Sequence, residues 1–313
     1  MTKHPYIYFY ARHPYDDELC RLEMRAFFNE DSETNALISN RLIAPSRSVF
    51  IKGRLDVLFE ADDFESFLQQ VQQFHVEEET FKVTSLNQAQ LYSTPKMELD
   101  ERRKLERQVG LCIDAEPDLN NPKVQFYFVT IDGHWYFGQY TESKSVALKH
   151  KKKPHSYSTA LSTSVARTVC NIAAPNPENL QLIDPCCGIG NVLVEALSMD
   201  FNIVGSDFNP LVVEHTLENI AYFGYKCDVT TKPIADVTGQ YDVAIIDMPY
   251  NIFSRASAEE QYAILVEARR IAKKAVIVSI ETIDDILDEV GFKIVDRCEA
   301  KKSNFIRQIL VCE

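Results

Sequence analysis

No stretch of this 313-residue chain approaches the ~18 consecutive apolar residues that a membrane span needs. The opening Met1-Thr2-Lys3-His4-Pro5-Tyr6 lacks the apolar run of a secretory signal, so a cytoplasmic protein is expected. The eight cysteines include no Cys-x-x-Cys pair, and the seven histidines show no metal-ligand spacing. Neither a disulfide framework nor a metal site is therefore expected; cysteines scattered through apolar segments read as reduced core thiols. Ten glycines and 13 prolines are too few for a low-complexity chain. Positive charge is also short, with 33 Lys and Arg against 46 Asp and Glu, for a net charge of −13. That balance excludes a protein that coats nucleic acid indiscriminately, but not one with a local basic site. No internal repeat is present.

What is present organises into four stretches. Residues 1–48 read as a small α+β, ferredoxin-like segment: a strand at Tyr6–Tyr10, a helix from about Asp17 to Phe28, and a second strand at Ser48–Ile51. Residues 49–142 read as a second α+β module. It has a polar helix over Leu99–Ile113 with Arg103 and Arg107 on a basic face. It ends in two aromatic-rich strands around Asp132-Gly133, a strong hairpin signal. Residues 143–158 hold five lysines and no acid, and read as an interdomain linker. Within it Lys149, Lys151, Lys152 and Lys153 are candidates for phosphate contact, with a merely solvated run as the alternative. Residues 159–313 alternate strands and helices, the pattern of a doubly wound α/β sheet.

Three motifs fall at expected strand ends of this last stretch. The first is Asp184-Pro185-Cys186-Cys187-Gly188-Ile189-Gly190. Gly188 and Gly190 permit a tight turn and close backbone approach to a ligand. Position 193 is Leu, so the third glycine of a dinucleotide fingerprint is missing. An acid here repels phosphate and favours a cationic ligand. An ordinary strand-to-helix turn is the alternative. The second motif is Gly205-Ser206-Asp207-Phe208-Asn209, where an acid ending the next strand is placed to accept from ribose hydroxyls. The third is Asp247-Met248-Pro249-Tyr250. A carboxylate beside a main-chain carbonyl can fix the N–H groups of an exocyclic amine, and an aromatic three positions on can stack on an extruded base.

In this order DPCCGIGNVLVEA, GSDFN and DMPY resemble class I S-adenosylmethionine-dependent methyltransferases that act on amino groups. The segment ERRKLERQVGLCIDAEPDLNNPKVQFYFV resembles the end of a THUMP domain. Together these are similar to the THUMP-containing RNA guanine-N2 methyltransferases, in particular the tRNA guanosine-10 enzymes. The resemblance implies a Rossmann-like methyltransferase sheet over 159–313, a THUMP-like RNA-binding domain over 49–142 and S-adenosylmethionine as cofactor. The substrate it implies is RNA, tRNA first, with no metal and a monomer favoured. It assigns the cofactor to Asp184, Pro185, Cys186, Gly188, Gly190, Asp207, Phe208 and Thr159, with Asp236 the nearest acid after the third strand. It assigns transfer to Asp247, Met248, Pro249 and Tyr250. Met248 stands where the family has its first proline. A DNA amino-methyltransferase and a non-catalytic RNA-binding protein with a degenerate methyltransferase fold are the alternatives.

Overall fold

The computed structural model describes residues 5–86, 98–249, 257–302 and 305–313. The chain divides into two compact units: Met1–Ala11, Ser32–Pro45 and Phe50–Lys144 in the first, and Arg12–Asp31, Ser46–Val49 and Ser145–Glu313 in the second. Among the described residues, no helix is long and apolar enough to cross a membrane.

The first unit is built on one seven-stranded sheet among the described residues. Its strands are β1 (Tyr6–Tyr10), β2 (Ala36–Ser39), β3 (Ile51–Ala61), β4 (Thr80–Ser85), β5 (Glu116–Pro117), β6 (Val124–Ile131) and β7 (His134–Glu142). They lie in the order β2-β1-β3-β7-β6-β4-β5. The long β3 pairs β1 on one edge and β7 on the other. The expected division at residue 48 is therefore bridged by the pairing of β1 with β3. β6 and β7 form the expected hairpin, with Asp132 (φ 49°) and Gly133 (φ 89°) both left-handed, as a two-residue turn that follows strand twist requires. Helix α2 (Phe64–Gln73), capped by Asp63, and helix α3 (Leu99–Gly110) cover a core rich in phenylalanine. Trp135 packs into that core against Phe64 and Phe67.

The second unit recruits helix α1 (Asp17–Phe28) from the front of the chain. It continues through α4 (Val146–Lys149), α5 (Thr163–Ala173), β8 (Leu182–Asp184), α6 (Asn191–Leu197), β9 (Ile203–Asp207), α7 (Pro210–Tyr222) and β10 (Val229–Thr231). Then come β11 (Tyr241–Asp247), α8 (Ala258–Ile271), β12 (Ala272–Ser279), α9 (Asp284–Glu289), β13 (Ile294–Lys302) and β14 (Phe305–Cys312). The strand order is β10-β9-β8-β11-β12-β14-β13, with β14 alone reversed, as the Rossmann-like methyltransferase expectation requires. The central strands read as near-continuous apolar runs because helices cover both faces.

α1 packs on α5 and β13 through its apolar face and a buried polar network. Ser48 Oγ and Asn171 Nδ2 donate to the Glu23 carboxyl, the latter at 2.7 Å. The Arg47 guanidinium donates to Asn171 Oδ1 and lies over the rings of Phe27 and Phe201. Fully buried Arg167 donates to the carbonyls of Ser46 and Arg47 and to Glu195 on α6. Burial pushes the Glu23 carboxyl up to about 7. Part of the stretch read as an interdomain linker packs into this unit: His150 is buried with Nδ1 2.7 Å from Glu195 Oε1, and Lys153 Nζ donates to Asn191 Oδ1.

Candidate active site

Three neighbouring parallel strands, β9, β8 and β11, each end on an aspartate at the carboxyl edge of the second sheet: Asp207, Asp184 and Asp247. This is the edge at which open α/β sheets bind ligands, beside the point where strand order reverses. The register places Asp184 beside Gly205, so Asp207 projects two residues further. The three acids line one cavity of about 1230 Å³.

The glycine turn after β8 is held from two sides. Gly188 (φ 51°) donates its N–H to Asp207 Oδ2 at 3.1 Å, and its carbonyl accepts from the Thr216 hydroxyl on α7. Gly190 (φ 78°) precedes α6, and a Cβ there would lie 2.7 Å from Thr216 Cγ2. Both positions need glycine, one for its backbone and the other for backbone and space together. Asp207 Oδ1 accepts from the Asn209 N–H at 3.0 Å. Each Asp207 oxygen retains a lone pair for a ligand hydroxyl.

Electrostatics divide the three acids. Asp184 is buried and accepts from the Cys186 N–H at 3.3 Å. Burial, with Asp247 and Asp207 adding to it, holds its carboxyl well above the usual range. Asp247 is pushed up to about 7 by burial, against the opposing influence of Arg307. Its Oδ1 has no hydrogen-bond partner among the described residues. The Cys186 and Cys187 thiols are both driven up by burial, so neither is a ready nucleophile.

Most sequence-assigned residues meet at this cavity. Thr159, Asp184, Pro185, Cys186, Gly188, Asp207 and Phe208 line it, together with Asp247, Met248 and Pro249. Phe208 is 74% exposed at the rim. Met248 is buried, and its N–H donates to the Val278 carbonyl at 2.9 Å, which holds the strand-end loop without the missing proline. Gly190 sits behind the cavity wall. Asp236 is exposed and stands off the cavity; Pro233, Ile234 and Ala235 line it instead, because the short 3-10 turn at Ile234–Asp236 directs the acid to solvent. Tyr250 lies outside the described residues. Lys149, Lys151 and Lys152 are exposed, as are Arg103 and Arg107, whereas Lys153 is half-buried against Asn191.

Three contributors escaped the sequence reading. Tyr157 lines the cavity and brings its hydroxyl near Gly188. Thr216 holds the glycine turn from another helix. Buried Arg307 on β14 donates to the Thr159 carbonyl at 3.0 Å. Only Arg307 carries a sequence signal, as a lone cation in the apolar run FIRQILVC.

The residues present fit S-adenosylmethionine. The glycine turn allows close approach, Asp207 presents acceptors for a ribose, and the acids favour a ligand bearing ammonium and sulfonium charges.

Residues 150–282 match the UPF0020 family, described as RMKL-like, methyltransferase domain. The chain is 26% identical over 171 residues to a tRNA (guanine(10)-N2)-dimethyltransferase of Methanothermobacter thermautotrophicus, covering 51% of each chain. It is also 26% identical over 168 residues to a tRNA (guanine(10)-N2)-dimethyltransferase of Pyrococcus abyssi, covering 48% of each. The chain thus spans about half the length of the curated relatives it matches. Among solved structures, TrmN from Thermus thermophilus is similar at 13% identity and a TM-score of 0.48, covering 99% of both chains. The strand order and the glycine turn give the second unit a Rossmann-like methyltransferase fold, and residues 150–282 of it match the RMKL-like methyltransferase domain.

Proposed function

We propose that this protein transfers a methyl group from S-adenosylmethionine to the exocyclic amine of an RNA base, N2 of a guanosine in tRNA. The observation that carries this reading is the buried Asp247 oxygen without a partner among the described residues, in a cavity beside two further strand-end acids. An orphaned buried acceptor is costly and marks a place where a donor belongs. The activity for which both curated relatives are named supports guanine N2 and tRNA as the finer choice.

S-adenosylmethionine, when bound, supplies an electrophilic methyl group on a sulfonium. The protein's part is orientation. The Asp247 carboxylate accepts one N–H of the amine and the Met248 carbonyl accepts the other, which aims the nitrogen lone pair into the cavity. Tyr250 stacks on the extruded base. As the N–C bond would form and the C–S bond break, leaving a neutral thioether, the amine would become acidic and lose its proton to Asp247 or to water. The high thiols of Cys186 and Cys187 argue against a covalent route through cysteine. Residues 49–142, read as THUMP-like, grip the RNA in this reading, and the exposed lysines at 149, 151 and 152 contact its phosphates.

The test is tritium transfer from labelled S-adenosylmethionine to unmodified tRNA and to duplex DNA of matched length. Incorporation into tRNA alone is expected. Incorporation into DNA alone contradicts the RNA assignment, and binding of tRNA without any transfer contradicts catalysis.

A further inference from the structure

Arg307 is a cation buried in the apolar strand β14. Strand register relates it to Asp247. Asp247 on β11 lies beside Val278 on β12, and Val278 lies beside Ile309 on β14. Residues in lateral register share a face, and residues two apart along a strand return to it. Arg307 is two residues from Ile309, so it emerges on the same face as Asp247, two strands away. Because β14 runs antiparallel to β12, the step from Ile309 to Arg307 leads toward the carboxyl edge, where the cavity lies. From there its Nη2 donates to the Thr159 carbonyl, and Thr159 lines the cavity.

Resting on the functional reading above, we propose that Arg307 is a positioning residue for the transfer: its charge favours the ionised form of Asp247 that accepts the amine, while its hydrogen bond holds the Thr159 segment in the cavity wall. The physical need is plain. A protonated Asp247 presents an O–H to the amine and loses acceptor capacity. Burial pushes its carboxyl up to about 7, and Arg307 is the cation that acts against this. Among the described residues, the other titratable groups that line the cavity carry no positive charge. Asp184 ends β8, Cys186 follows it, and Glu260 and Glu267 on α8 line the same cavity.

The test uses the full-length protein. Arg307→Gln loses the charge but keeps a donor for the Thr159 carbonyl; Arg307→Lys keeps the charge. Asp247 is followed by carbon-13 NMR of aspartate-labelled protein, its signal assigned with Asp247→Asn. Arg307→Gln is expected to move the Asp247 titration midpoint upward by about one pH unit. Arg307→Lys is expected to keep the midpoint close to wild type. The acid limb of methyl transfer to tRNA should move with the midpoint. An unmoved midpoint in Arg307→Gln overturns the proposal, as does an equal upward move in Arg307→Lys. Arg307→Met carries the same expectation as Arg307→Gln and replaces it if that variant does not fold. If the wild-type protein transfers no methyl group, the functional reading fails, while the titration still decides whether Arg307 governs Asp247.

Discussion

At the scale of single residues, the three strand-end aspartates divide the work. Asp207 holds the glycine turn through the Gly188 N–H and accepts from the Asn209 N–H at the start of α7 while facing the cavity. Asp207→Ala should weaken S-adenosylmethionine binding by about 1–3 kcal/mol, from loss of hydrogen bonds to a charged acceptor. Calorimetry checks this, and unchanged affinity in a folded variant removes Asp207 from the site. Asp247 makes a pH-dependent prediction. Its carboxyl stands near 7 in the fold, above the ordinary value of 3.8. The stability it contributes is present below the ordinary value and lost as pH rises through about 7. Asp247→Asn should therefore gain stability over wild type between about pH 5 and pH 8, on the order of 2 kcal/mol. Urea unfolding at both pH values measures the gain; a difference that stays constant with pH contradicts it. The aspartates were legible in the sequence because each ends an apolar run. Arg307 and Thr216 were not, because their roles depend on strand register and on packing between distant segments. Asp236 misled for the converse reason: proximity along the chain to the right strand does not set the direction of a side chain in a 3-10 turn.

At the scale of elements, the basic stretch at 149–153 separates into two roles. Lys149, Lys151 and Lys152 are exposed, whereas Lys153 reaches Asn191 at the start of α6. Changing the three exposed lysines to alanine should weaken RNA binding and lower the salt slope by about 2–3, since a phosphate that no lysine neutralises keeps its counterion. Fluorescence titration against salt checks this, and an unchanged slope makes the run a solvated face only. Lys153→Ala should leave the salt slope almost unaltered. Elements with strong local signals were read well: the Asp-Gly hairpin formed, and the helix that the sequence pattern places at Asp284–Glu289 is α9 with those bounds. Others shifted for local reasons. The sequence pattern places a helix at about Thr159–Ala173, and it begins at Thr163, because the Ser162 hydroxyl accepts from the Val165 N–H and caps it there. β2 is only four residues and has no alternating pattern, and of the strand expected at Ser48–Ile51 only Ile51 is extended, as the first residue of β3.

At the scale of the whole molecule, sequence order and compact units diverge. The division expected at residue 48 followed changes in composition, but β1 and β3 pair across it, while α1 belongs to the unit that carries the methyltransferase domain. Such a recruitment depends on a buried network of Glu23, Arg47, Asn171 and Arg167 assembled from distant segments, and no local pattern announces it. A fragment of residues 143–313 should accordingly be less stable than the same unit within the full chain by at least about 3 kcal/mol, because Arg167 and Asn171 lose buried partners. Circular dichroism melts compare the two; equal melting temperatures contradict the assignment of α1 to this unit. The central claim concerns which atom receives the methyl group. Its most direct measurement is mass spectrometry of nucleosides from unmodified tRNA incubated with S-adenosylmethionine and either the wild-type chain or Asp247→Ala. The account predicts N2-methylated guanosine with the wild type and a rate lower by roughly 10²–10³ in the variant. Methylation at a ring carbon, or undiminished turnover by Asp247→Ala, would contradict it.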